Sequence, residues 1–300
     1  MPIQLIGVPF DGMGRPGAQA RAPIALRAAG LQKALRQREI LVGPDIAVPV
    51  PRAERAPRSG LLNEAALLEM IEALYTSVTD ALSAHRFPLV YGGDCSVLLA
   101  TVPALRDVAG QAGLMFIDGH EDATPMELSP DGEVASMEIA LLLGLTGEHA
   151  PMALRARLPA LKSDAVAVLG PRDEPERVKR NIATLADRVL LRTADDLYAN
   201  PGEIARAAVR QVTLRTPAWW LHTDLDVLAE NEFNARGAPG EMHLPGGLTW
   251  SQLTEIVSCA LQTGGCRGSS LVIYNPDLDT DGSAGQRIVR FVKDIAMYLP

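Results

Sequence analysis

The sequence predicts an α/β fold in three layers, α/β/α, with a mostly parallel central sheet in a single domain spanning residues 1–300. Two observations predict it. Short apolar, β-branched runs alternate along the chain with longer stretches of helical periodicity, which is the rhythm of a parallel sheet with helices on both faces. Polar, chemistry-bearing residues gather directly after several of those runs, and open parallel sheets place function in the loops at the carboxyl ends of their strands. No internal repeat is present.

Taken in order, strands are expected at residues 3–8, 88–91, 114–118, 165–169, 189–191, 219–224 and 270–274. A helix is expected over 63–85, with Asn63 as its N-cap and Leu67, Met70, Ile71, Leu74 and Val78 recurring at helical spacing. A second is expected over 249–262, where Leu253, Ile256, Val257 and Ala260 form the apolar stripe, and a last over 286–297. Crossovers between parallel strands should be right-handed. Residues 49–60 (PVPRAERAPRSG) read as a surface excursion, and 125–132 and 228–247 as long loops. Trp219 and Trp220 straddle a strand and belong to the core.

Composition narrows the function. Of 300 residues 47% are hydrophobic and 21% charged, so the chain is neither disordered nor fibrous. The net charge of −8 argues against a generic nucleic-acid binder, which needs a basic face. Apolar runs are too short to cross a membrane, which takes about 18 residues or more. The opening MPIQLIGVPFDG lacks the basic stretch, apolar core and cleavage site of a secretion signal. Three cysteines, Cys95, Cys259 and Cys266, are too few for a disulfide framework, so a cytoplasmic location is expected.

Three motifs carry the chemistry. In FIDGHEDATP, Asp118, His120 and Asp122 fall at every second residue and would share one side of an extended segment. Two carboxylates and an imidazole on one side suit a divalent metal. In WWLHTDLDV, Asp224 and Asp226 share a side with His222 one step earlier. Buried unpaired carboxylates are costly, so two at a strand end imply a cation or a solvated loop. Together the five ligands suffice for two bridged divalent ions. In YGGDCSVLLA, Gly92 and Gly93 permit a sharp turn. Cys95 then sits near a helix start, where a thiolate is favoured, although a buried inert cysteine is the common alternative.

These motifs resemble those of the ureohydrolases (the arginase, agmatinase and formimidoylglutamase group), and the resemblance runs nearly the whole chain. IGVPFDGMGRPGAQARAPIALRAAGL is similar to the family's first strand, glycine-rich loop and first helix. YGGDCS is similar to G-G-D-H-S with cysteine for histidine, and FIDGHEDATP to D-A-H-x-D with glycine for alanine. HTDLDVLAE matches S-x-D-x-D-x-x-D-P in its two metal-binding aspartates only, while PGGLTW and YNP resemble the closing segments. The resemblance implies two divalent ions, manganese by family habit. Asp118 and Asp224 would bridge them, Cys95 and Asp122 would complete one, and His120 and Asp226 the other. A metal-bridging hydroxide would attack a planar carbon bearing nitrogen, and Asp122 or Asp226 would briefly hold the proton. His222 would be a group that orients Asp224, or else a satisfied core histidine.

Departures from the family pattern shape the expected substrate. Cys95 shifts metal preference toward zinc, iron or cobalt without forbidding manganese. Its negative charge should also raise the pKa of bound water. GEVASMEIALLLG resembles G-N-L-H-G-x-P-x-A, in which the histidine is a proton shuttle; here Ala135 stands in its place, and His222 or His243 would have to substitute. Glu133 replaces the asparagine that helps hold a substrate carboxylate, and Asp131 a nearby serine. Two acids there would repel a carboxylate, unless they form a solvated loop. The glutamate that grips a guanidinium corresponds to Ile273 or Tyr274, depending on how the gap is counted. Arg172, Asp173 and Glu174 in LGPRDEPE resemble the segment that holds the substrate's amino group, although Pro175 disturbs the match. His85 and His149 read as surface residues.

The expected function is therefore a dinuclear hydrolase that cleaves a linear carbon–nitrogen bond in a modified guanidino or amidino compound, such as an N-hydroxyguanidine, rather than in L-arginine. N-hydroxylation lowers guanidine basicity and relaxes the need for both lost groups. The partner is a small molecule, neither nucleic acid nor membrane, and the family often assembles into homo-oligomers. Two rivals stand beside this reading. One is a metal-binding pseudoenzyme that serves as a scaffold or regulatory subunit. The other is a metal-dependent amide hydrolase, which would be expected to use one ion and a histidine pair.

Overall fold

The structure is a computed structural model that describes residues 1–15, 18–237 and 244–300. Eight strands among the described residues form one sheet: β1 Ile3–Gly7, β2 Ile40–Val42, β3 Phe87–Tyr91, β4 Gly113–Ile117, β5 Val166–Leu169, β6 Leu190–Arg192, β7 Trp219–Asp224 and β8 Cys266–Val272. Their order is β2-β1-β3-β8-β7-β4-β5-β6, and every pairing is parallel. The inner strands β3, β4, β5 and β7 are buried at every residue. That is why they read as continuous apolar runs rather than as alternating ones.

Alternate residues feed two cores. Leu114, Phe116, Val166, Val168 and Trp220 face one side, together with the helices Glu64–Ser83 and Leu98–Ala109. Met115, Ile117, Ala167, Leu169 and Trp219 face the other, together with the helices Ala22–Ala29, Pro201–Thr213, Trp250–Gln262 and Ser283–Ile295. All five residues of the apolar stripe expected on the first long helix, Leu67 to Val78, are buried. Each such side chain contributes about 1.5–3 kcal/mol on leaving water.

Several local expectations are corrected. Asn63 does not cap its helix through its side chain. Its backbone is left-handed (φ 53°). Its Oδ1 accepts from the backbone N–H of Arg52 (3.0 Å) and Ala53 (2.7 Å), while Nδ2 donates to the carbonyl of Gly12 (2.7 Å). The residue therefore ties two loops together rather than ending a helix. Thr249 does cap its helix, in a reciprocal box with Gln252. The last helix runs Ser283–Ile295, three residues earlier than expected at its start, because Gly282 in a left-handed conformation (φ 72°) opens it.

β2 has no counterpart among the expected strands. It is three residues long, lies at the sheet edge and is not buried, so it lacks an apolar signature. β8 begins earlier than expected, in the small polar stretch CRGSS. Gly268 is required there, because a Cβ would lie 2.1 Å from the Trp220 ring. The helix Pro201–Thr213 escaped the periodicity reading; Pro201 occupies its first turn, where a missing N–H costs nothing. No helix among the described residues is long and apolar enough to cross a membrane.

Asn63→Ala should destabilise the protein by about 1–3 kcal/mol, since it removes three part-buried hydrogen bonds between loops and puts a Cβ-only residue in a left-handed position. Urea unfolding checks this: the midpoint should drop with little change of slope.

Candidate metal centre

Three strands near the middle of the sheet deliver the site. β3 ends at Tyr91 and turns through Gly92 and Gly93, both with positive φ (81° and 77°), into Asp94 and Cys95. A Cβ on Gly92 would lie 2.7 Å from the Pro23 ring, so the turn needs glycine. Asp94 is buried and pins this loop: Gly12 N donates to Oδ2 (2.6 Å) and Ser96 N to Oδ1 (3.0 Å). β4 delivers Asp118 and β7 delivers Asp224, each just past or at its carboxyl end.

The acidic residues converge by turns rather than by strand alternation. His120 N donates to Asp118 Oδ1 (2.7 Å), which folds the chain straight after β4. Asp122 then adopts a left-handed backbone (φ 44°), an uncommon state for a non-glycine residue and one found at functional sites. Asp226 N donates to Asp224 Oδ1 (2.6 Å), starting a short 3-10 turn. The expected one-sided extended segments are thus absent, although the residues they were to gather are together.

Donor atoms cluster at the spacing one ion imposes. Asp118, His120 and Asp122 offer atoms within 4.8 Å of one another, and so do Asp118, Asp224 and Asp226. Cys95 joins Asp118 and His222 in one such group, and Asp122 and Glu138 in another. Cys95 Sγ donates to Asp224 Oδ2 (2.9 Å) and lies 3.7 Å from Asp118 Oδ2. His120 Nδ1 pairs with Asp226 Oδ2 (2.9 Å), and Gly119 N donates to Asp226 Oδ1 (2.9 Å).

Electrostatics follow from crowding buried acids. Burial, then the charge of Asp226, pushes Asp118 up to about 7. Burial followed by neighbouring carboxylates holds Asp122 and Asp224 well above the usual range, and burial does the same for Glu138. Burial works against charge on Asp226 too, but His120 beside it, with Arg236 and Arg172 behind, holds it below the usual range. Burial likewise opposes charge on His120, yet Asp226 and Asp118 raise it. Burial and the Asp224 charge push the Cys95 thiol well up. This corrects the expectation of a thiolate favoured by a helix start: Cys95 opens a short 3-10 turn, Cys95–Val97, among acids. Such a thiol ionises when a cation takes its place among the acids.

These groups floor a cavity of about 490 Å³. Asp131, Glu133 and Ala135 form part of its wall, as expected. Burial, with the charges of Asp94 and Asp131, lifts Glu133 to about 8. Ile273 lines the cavity, whereas Tyr274 is buried and donates its hydroxyl to Asp279 Oδ2 (2.7 Å). Of those two positions Ile273 is the one on the cavity wall, and its φ of 63° is an outlier for a β-branched residue.

Other assignments move. Asp173 is a buried structural acid: its Oδ2 accepts from Glu121 N (3.2 Å), and its Oδ1 pairs with Arg177 (3.2 Å). Glu174 is exposed and does not line the cavity. The chain turns after Pro171 so that Arg172, Glu176 and Arg180 face the cavity instead. His222 is fully buried beneath the site and makes no bond to Asp224. Its Nδ1 meets Ser270 Oγ (2.7 Å), which also accepts from Trp220 Nε1 (3.0 Å), and its ring stacks on Phe116. Burial pushes it down to about 3, so it is neutral and shut off from the cavity, unable to shuttle protons to solvent. His85 and His149 are exposed. His243 lies outside the described residues.

Sequence reasoning missed Arg236 and Glu138. Arg236 Nη1 donates to the carbonyls of Asp226 and Leu228 (both 2.6 Å), closing the loop behind Asp226. Nothing local in the sequence marks it. Glu138 had a signal: in GEVASMEIA it takes the place of the proline of G-N-L-H-G-x-P-x-A.

Comparison with known proteins agrees with this geometry. A model of the arginase family matches residues 1–298. The chain belongs to the arginase family. Arginase of Bacillus caldovelox is 28% identical over 282 residues, covering 93% of this chain and 92% of that one. Arginase of Saccharomyces cerevisiae is 30% identical over 228 residues, covering 75% of this chain and 66% of that one. The solved structure of the Bacillus caldovelox arginase superposes with a TM-score of 0.83 at 25% identity, covering 98% of both chains. Arginase-family proteins are hydrolases of amidino carbon–nitrogen bonds, and the family uses a dinuclear metal cluster, typically of manganese. The donor set here fits such a pair on its own evidence: four buried or half-buried aspartates, a glutamate, a thiol and an imidazole meet in one basin.

A pH dependence follows for the metal-free protein. Asp118 keeps its proton in the folded state up to about 7, against 3.8 ordinarily. Its contribution to stability is therefore full below about pH 4 and is lost as pH rises through about 7. The unfolding temperature of chelator-treated protein should fall between about pH 5 and about pH 8, and less so in Asp118→Asn. Adding a divalent ion should reverse the fall, because a cation replaces the protons. Differential scanning calorimetry decides; a metal-free unfolding temperature that climbs over this range contradicts the account.

Proposed function

We propose that this arginase-family hydrolase acts, as one domain, on a guanidino or related amidino compound less basic than free L-arginine, for example an N-hydroxyguanidine. The observation that carries the reading is Ile273. It puts a hydrocarbon side chain on the cavity wall at one of the two places, Ile273 or Tyr274, where the sequence resemblance sets a guanidinium-gripping glutamate. A full guanidinium desolvated against an aliphatic wall loses hydrogen bonds that nothing there returns. A substrate whose C–N group is neutral at working pH avoids that loss. Ala135 adds to the argument, because no titratable group stands on the wall at the shuttle position.

In this reading Asp118 and Asp224 would bridge the two ions, Cys95 and Asp122 would complete one, and His120 and Asp226 the other. When bound, the ions would lower the pKa of a water and polarise the carbon–nitrogen group. Manganese is the family habit, with zinc, iron or cobalt favoured to the extent that Cys95 binds as a thiolate. The Asp226 carboxylate, ionised beside His120 and open to the cavity, can accept a proton and pass it on to the leaving nitrogen. Arg172 and Arg236 hold the Asp226 backbone carbonyl (2.7 and 2.6 Å), so that carboxylate stays in place. His222 is too deeply buried for proton relay; it fixes the packing beneath Cys95 and Asp118. Glu133, protonated up to about 8, can donate a hydrogen bond at neutral pH rather than repel an anionic substrate group. A cytoplasmic location and self-association of the chain complete the proposal, as the resemblance implies.

Elemental analysis should find about two ions per chain, with Asp122→Ala losing at least one. Turnover of N-hydroxyguanidino, ureido, amidino and plain guanidino compounds is then compared. The N-hydroxylated compound should exceed its guanidine by at least about tenfold in kcat/KM, which is 1.4 kcal/mol of transition-state preference. Ile273→Glu should narrow that ratio. Best turnover on L-arginine with no response to Ile273→Glu would sink the substrate assignment. Two bound ions with no turnover of any compound would favour the scaffold reading.

A further inference from the structure

Glu138 has no role in the reaction proposed above. It is fully buried, at 0% exposure, and its carboxylate oxygens meet no donor group, their neighbour being another acid, Asp122. None of the ion pairs among the described residues includes it. A carboxylate left so in the interior is among the costliest arrangements a fold can hold unless a proton or a cation neutralises it.

Its position shows where that cation belongs. A Glu138 oxygen, the Cys95 Sγ and an Asp122 oxygen all lie within 4.8 Å of one another. Donors that each sit about 2.0–2.3 Å from one ion are at most about 4.6 Å apart, so the three match a single coordination sphere. The backbone sets this placement. Ile139 N donates to the carbonyl of Asp122 (3.1 Å) and Thr124 N to that of Ser136 (3.0 Å), which lashes the segment around Glu138 to the one around Asp122.

We propose that Glu138 is a ligand of the ion held by Cys95 and Asp122, adding a carboxylate oxygen to that ion's sphere. The proposal rests on the two-ion reading above. It makes the pair of ions unequal. The Cys95 side is the more deeply buried, with Cys95 and Glu138 exposed by 1% and 0%, and its donors are a thiolate and carboxylates. Both sides line the cavity, and the His120 side chain is the more open to it, at 35% exposure. The first ion would be held tightly and be less electrophilic, and the second would face substrate.

The test loads the whole protein with cobalt(II), whose d–d and thiolate charge-transfer absorption report donor number and the Cys95 bond. Wild type, Glu138→Gln and Glu138→Asp are titrated against graded chelator, with ion content measured at each step. Wild type should bind two ions. Glu138→Gln should weaken one of them by at least about tenfold and alter the d–d bands, with Glu138→Asp lying between. Metal-free Glu138→Gln should also unfold at a higher temperature than metal-free wild type, and should gain less on loading. Two ions bound to Glu138→Gln with unchanged affinity and spectrum would overturn the proposal while leaving the two-ion reading intact. Fewer than two ions on wild type would overturn both. If Glu138→Gln does not fold, Glu138→Met replaces it: the same loss of one ion supports the ligand role, and unchanged binding overturns it.

Discussion

The constraint on which the rest depends is the crowding of acids at the carboxyl end of a buried parallel sheet. Asp118, Asp122, Asp224 and Glu138 share one basin with the thiol of Cys95. Burial alone would keep most of them protonated. Such a set is stable only with protons or cations in it, so folding, metal binding and pH are linked at this point. The fully buried inner strands supply the rigid platform, and the loops after β3, β4 and β7 bring the acids together over it.

The remaining features follow from managing that charge. Asp226 is the exception among the acids, and its environment explains why. Arg172 and Arg236 lie behind it and His120 beside it, so it alone is held below the usual carboxylate range. Asp122 accepts an unfavourable backbone conformation, and Ile273 accepts a worse one for a β-branched side chain. Both outliers lie at the cavity, where such strain is tolerated because the surrounding structure over-determines it. Tyr274 is turned the other way by its bond to Asp279, which leaves the aliphatic side chain of Ile273 facing the reaction space.

Departures from the family pattern sit close together. Cys95, Ala135, Glu138 and Ile273 surround the same small volume. In the proposed reading the first and third would change what the ions feel, and the second and fourth what a substrate meets. Changes on the metal side and the substrate side of one cavity suit a shift of reaction partner better than decay of a disused site. Retention of every aspartate in the basin points the same way.

The sequence by itself determined the fold class and singled out the aspartates, the imidazole and the thiol that the fold gathers into one basin. The inner strands buried at every residue are apolar nearly throughout and were legible for that reason; of the two edge strands, each only half-buried, β6 was expected and β2 was not. Acids placed directly after apolar strands were legible for a related reason: few structures other than a metal site tolerate them there. The tertiary structure alone decided the rest. Alternation predicted that Asp118, His120 and Asp122 would converge, but turns at Asp118 and Asp122 bring them together, and no period encodes a left-handed aspartate. Asp173 pairs with Arg177, and Glu174 points to solvent, because a short helix turns Glu176 and Arg180 toward the cavity instead. Asn63 ties loops far apart in sequence, and His222 is buried beneath the site rather than beside it. Each of these depends on contacts between distant segments. Local composition reports what a residue is made for, and only packing settles which neighbour it meets.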